Sequence, residues 1–214
     1  MSNYCYNNAM SDKKKLQRIT LLTAIFTLIS FLYKAGLGVY SMSLVLIVAS
    51  ISTLMVFIAK MAFVNNVTKS RKDKKKAYFS MFLATLIYSL VFLLFVVLKV
   101  NGIDISNQKE YEGWLGILLI SFMIIMFILS VIKLRGALEK TDIMVIGLKE
   151  ITFISALSDL VIIESFVYGI LLRYEISNDI LTYINSYFPL GIAIIMLITS
   201  LVMLIRYIRY KATN

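Results

Sequence analysis

The chain has 214 residues, of which 60% are hydrophobic and 16% charged. A water-soluble domain is nearer half apolar and a quarter charged, so lipid is the expected solvent for much of this chain. The formal net charge is +10, with no histidine and one cysteine; this excludes histidine-based acid–base chemistry, an internal disulfide and a cysteine metal cluster.

A spanning helix needs about 20 mostly apolar residues. The first such segment covers 16–33 and follows the cluster Lys13, Lys14, Lys15 and Arg18. A signal peptide also begins this way, but no small-residue cleavage site follows, so the segment reads as a retained span. Lys34, Gly36 and Gly38 then predict a tight outer turn. The second span is expected over 41–59, with Lys60 reaching back to the interface from its end. The third covers 77–98, after a basic run at 69–76 that reads as a solvated loop. The fourth, fifth and sixth are expected over 114–132, 143–172 and 188–205, with Pro189 near the start of the last.

Orientation follows from the basic residues. Seventeen Lys and Arg fall in the tails and even-numbered gaps, against four on the other side: Lys34, Lys99, Lys109 and Arg173. Positive residues stay cytoplasmic, so both termini are expected on the cytoplasmic side of a cell (plasma) membrane. The domain reading is a basic cytoplasmic tail at 1–15, a six-helix transmembrane domain at 16–206 and a short cytoplasmic tail at 207–214. The fold class is all-α. The basic charge lies beside apolar spans, which points to membrane lipid as partner and not to nucleic acid. Within the basic run, Lys72, Lys74, Lys75 and Lys76 are candidates for lipid headgroups, although orienting the chain is a sufficient role for them. Cys5 is a candidate for palmitoylation.

Charges inside a membrane are costly and often functional. The fifth span carries Lys149, Glu150, Asp159 and Glu164, with Asp159 at mid-depth. At ~100° per residue, Thr152, Ser155 and Asp159 share one face, while Glu150 and Glu164 point to the opposite side. The second span offers Ser43, Ser50 and Thr53; the third offers Thr85 and Ser89. A pocket between spans two, three and five is therefore expected, with Ser50, Thr85, Ser89, Ser155, Asp159 and Glu164 as candidate lining. Ser50 is the expected neighbour of Asp159. Serine and threonine also serve as plain helix contacts in membranes. With no phosphate-binding glycine loop, no paired catalytic acids and no histidine, the chain is not expected to be an enzyme.

The stretch from Lys34 through Gly38, Ser41 and Ser43 to Ala49 and Ser50, the basic loop before span three, and Ala156-Leu157-Ser158-Asp159 in span five resemble the membrane domain of the cation diffusion facilitators. That resemblance covers roughly residues 20–207 and implies a six-helix bundle with both ends inside. It also implies a metal site of acids or histidines spaced four apart on helices two and five. The matching positions here are Ser50, Leu54, Ser155 and Asp159. One carboxylate does not make a four-ligand zinc site, so no metal or other cofactor is expected. The resemblance then implies a transporter-like scaffold, used for another small solute or for a regulatory or interaction role. Two other classes fit six spans: a solute-binding membrane subunit of an uptake system, and an oligomerising membrane-perturbing or immunity protein. Partners would be a second copy in a dimer or another membrane protein.

Overall fold

The computed structural model describes residues 2–40, 43–101, 114–138, 142–173 and 179–212. They form six helices: α1 (Ser2–Tyr40), α2 (Leu44–Asn66), α3 (Arg71–Val100), α4 (Trp114–Leu138), α5 (Ile143–Arg173) and α6 (Asp179–Ala212). Five of the six, all but α4, meet the length and apolarity needed to cross a membrane among the described residues. Lys109 and Lys140 of the charge count, and the side chains of Lys13, Lys14, Arg173, Lys211 and Cys5, lie outside the described residues.

The helices are longer than the apolar segments that nucleate them. The expected turn at Lys34, Gly36 and Gly38 does not exist; α1 continues as helix to Tyr40. The reason for glycine at position 38 is proximity. A Cβ there would sit 2.9 Å from Ile47 Cγ1 and 3.1 Å from Ile47 N, so Gly38 lets α1 approach the start of α2. The chain reverses instead around Ser43, which caps α2: its hydroxyl accepts from Leu46 N at 3.5 Å. Lys60 is likewise not at a helix end, since α2 runs on to Asn66. Its ammonium reaches across to α1 and donates to Thr27 Oγ1 at 2.6 Å and the Thr23 carbonyl at 3.0 Å.

The basic run expected as a loop is the start of α3. Ser70 accepts from Asp73 N at 3.3 Å and donates to the Asp73 carboxylate at 2.7 Å, a capping arrangement that starts the helix within the charged run. Pro189 lies well inside α6, which begins at Asp179.

Helix α5 is the hub. It packs against α2, α3, α4 and α6, while α1 packs along α2, and α3 pairs with α6. Two apolar clusters fill the bundle. One is built around Leu46, Phe92, Val161 and Met196, the other around Phe63, Tyr78, Met144 and Met203. Between them, buried hydroxyls from four helices form a polar waist: Ser52, Thr53, Thr85, Ser89, Ser155 and Ser200. The outward faces carry large exposed apolar residues, such as Leu22, Phe26 and Leu32 on α1 and Ile194, Ile198 and Leu201 on α6. Exposed apolar stripes of this size suit hydrocarbon as the surrounding solvent.

Candidate functional site

Each carboxylate of α5 meets a cation from another helix. Just before its first turn, Asp142 caps Met144 N at 3.0 Å and accepts from Lys74 of α3 at 2.7 Å. Glu150 is held by Arg206 of α6 and by the Tyr78 hydroxyl of α3, at 3.1 Å. Asp159 receives the ammonium of Lys34 from α1 at 2.6 Å. Glu164 lies 3.8 Å from Lys99 of α3. The helical angles explain the split: Glu150 and Glu164 are within about 40° of each other and face α3 and α6, while Asp159 is on the far side and faces α1 and α2.

The Lys34–Asp159 pair is the centre of the site. The two side chains are only 7% and 13% exposed. The ammonium also donates to Thr53 Oγ1 of α2 at 3.2 Å, so one cation ties α1, α2 and α5 together. One turn toward the N-terminal end of α5, Ser52 of α2 bridges Ser155 at 3.1 Å and Ser158 at 2.9 Å. Tyr88 of α3 closes this layer by donating to the Val48 carbonyl at 3.3 Å. A buried ion pair flanked by three serines and a threonine can exchange a proton or re-pair with an incoming charge without exposing a lone charge to hydrocarbon.

The six candidates do not line one pocket. Ser155 and Asp159 belong to the α1–α2–α5 layer. Ser50 does not touch Asp159 there; its hydroxyl donates to its own helix, at the Ile47 carbonyl, 2.7 Å away. The neighbours of the stripe are Ser52, Thr53 and Lys34. Thr85 and Ser89 face α6, where Thr85 contacts the Met203 sulfur at 3.4 Å and Ser89 pairs with Ser200 at 3.1 Å. Glu164 sits farther along α5, toward its C-terminal end, with Lys99. Thr152, expected on the Asp159 stripe, turns back to the Leu148 carbonyl at 2.7 Å.

Of the headgroup candidates, Lys74 is paired with Asp142, and Lys75 lies over the Tyr207 ring at 5.6 Å. Lys72 and Lys76 are exposed. Among the described residues, no three of His, Cys, Asp and Glu come together.

Compared with known proteins, the chain matches no family model, no curated protein and no solved structure. Sequence reasoning missed Lys34, Lys99 and Arg206 as site residues because each served as an orientation charge. The signal that could have found Lys34 was the apolar run continuing past it, Leu37-Gly38-Val39-Tyr40, which leaves it inside a span.

Proposed function

We propose that this is a six-span membrane protein of transporter-like build, with both termini cytoplasmic, that moves a small positively charged solute through the Lys34–Asp159 site. The observation that carries the reading is the ion pair itself, buried at depth and held between separate helices. Apolar side chains would hold three helices together as well or better, and ionisable groups inside membranes mark solute and proton paths. The pair behaves as a gate with its own counter-ion. An incoming cation takes the place of the Lys34 ammonium on Asp159, freeing the α1–α2 hairpin to shift against α5.

Several features support the rest of the reading. The 25 residues of α4 give about 37 Å of helix, enough for a sixth crossing. Withdrawing Lys34 from the outer side only strengthens the charge asymmetry that sets orientation. The likeness to the cation diffusion facilitators aligns Asp159 with one of that family's metal positions. Here the positive charge a metal would bring is supplied by Lys34, so zinc is not the cargo.

The test is flux in proteoliposomes loaded with a pH dye. Sodium, potassium or methylammonium gradients are applied in turn, with Asp159→Asn as control. A cation-driven signal in the native protein that is lost in Asp159→Asn is expected. Traces identical to protein-free vesicles for all three cations overturn the reading.

A further inference from the structure

The three intramembrane acids of α5 are not equivalent. Glu150 uses both oxygens, one for Arg206 and one for the Tyr78 hydroxyl. Asp159 is in direct contact with Lys34. Glu164 is different. Its side chain is 9% exposed, yet its Oε1 is buried with no hydrogen-bond partner among the described residues. Its Oε2 takes only a long contact from the Ser165 hydroxyl, at 3.4 Å. The nearby cation is otherwise engaged: Lys99 donates to Asn185 Oδ1 of α6 at 2.8 Å and stands 3.8 Å from Glu164 Oε2.

An ionised carboxylate offers about four acceptor sites, and leaving a charged oxygen unpaired in a low-dielectric interior is costly. The geometry suits a neutral acid, with the lysine turned to a neutral amide. It also holds the second state ready. Closing the gap between Lys99 and Oε2 by a side-chain rotation would give an ion pair like that of Lys34 and Asp159.

The geometry points to Glu164 as an exchangeable proton site on the outer half of α5, separate from the Lys34–Asp159 pair. When Glu164 is protonated, Lys99 stays on Asn185. When the O–H bond breaks, the proton leaves to outer water, the electron pair remains on the carboxylate, and Lys99 swings from Asn185 to Glu164. No other reactant is needed.

Among the described side chains, Lys99 is the cation that faces Glu164. Helix α3 presents Lys99, and α6 presents the neutral Asn185, with Tyr183 and Tyr187 on an exposed face. Among the described residues, the charged groups of α2 and α4 are Lys60, Lys133 and Arg135, all at the opposite end. On α5 itself, Tyr168 is one turn away, and Asp159 points elsewhere and is bound to Lys34.

The test uses the full chain in detergent or proteoliposomes and a hydrophobic carbodiimide, which modifies protonated carboxyls in apolar surroundings. Mass spectrometry of peptides locates the adduct. The expected result is modification at Glu164 that falls at least tenfold between acidic and alkaline pH and is absent in Glu164→Gln. In Lys99→Met, which removes the counter-charge, modification persists to higher pH. Infrared difference spectra should show a carboxylic C=O band that disappears with the same pH profile and is missing in Glu164→Gln. No modification of Glu164 at any pH, modification that does not change with pH, or an unchanged profile in Lys99→Met overturns the proposal. The readout needs no solute flux, so it stands or falls apart from the transport reading.

Discussion

Removing either half of the Lys34–Asp159 pair should be far more damaging than removing both. In Lys34→Met, a carboxyl that met an ammonium at 2.6 Å is left with its main partner gone, in a site where it was 13% exposed. Breaking a buried pair in this way costs about 3–5 kcal/mol. The variant has one escape, which is to hold Asp159 as the neutral acid. Relative to an ordinary carboxyl, that costs about 1.5 kcal/mol at pH 5 and about 4 kcal/mol at pH 7. The folded variant then carries a proton that the unfolded chain has released, so its stability falls as pH rises, by about 1.4 kcal/mol per unit. The double variant Lys34→Met/Asp159→Leu leaves no charge behind and should lie within about 1 kcal/mol of the native protein, or above it. The assay is reversible unfolding in mixed micelles, read on native, single and double variants at pH 5 and pH 7. Single losses that simply add in the double variant to within about 0.5 kcal/mol, or a Lys34→Met loss equal at both pH values, would refute the reasoning.

Two further outcomes follow from the packing, and a third from the charge asymmetry. Gly147→Ala places a Cβ 2.7 Å from the Tyr78 ring; the ring must move off α5 and Glu150, and unfolding should show a loss of about 1–3 kcal/mol. Ser52→Ala, which removes the bridge to Ser155 and Ser158, should cost only about 0.6 kcal/mol in the same assay, since hydroxyl bonds between membrane helices are weak. For topology, reporter fusions after Thr68 and Asn214 should read cytoplasmic and one after Asn107 external; a cytoplasmic signal at Asn107 removes the six-span arrangement.

The apolar segments were legible because hydrocarbon demands about 20 mostly apolar residues in a row. The helix ends were not, because hydropathy reports where lipid begins and not where backbone hydrogen bonds stop. Hence α1 runs through two glycines to Tyr40, and α3 begins inside a run of lysines once Ser70 caps it. Asp159 stood out by rarity alone. Its neighbours were harder to read, because a helix turns ~100° per residue and a small error in register replaces one side chain with another. Ser50 and Ser52 lie at similar depth, but only Ser52 points at Ser155. The long reach of lysine hid the true partner: Lys34 crosses from α1, a helix that does not itself pack its backbone against α5. Glu150 and Glu164 were placed on the opposite face by the same angular reasoning, but their cations came from helix ends that sequence treats as orientation signals.

The central claim, that Asp159 accepts a mobile cation in place of Lys34, is tested most directly by chemical rescue. Lys34→Ala empties the volume of an alkylammonium chain beside Asp159, and propylammonium fits the missing part. Thermal unfolding is followed as propylammonium is added to Lys34→Ala, to the native protein and to Lys34→Ala/Asp159→Leu. The account predicts a rise in stability in Lys34→Ala that grows as the logarithm of propylammonium concentration above its dissociation constant, and none in the double variant. Equal shifts in all three proteins, or no shift in Lys34→Ala, would contradict it.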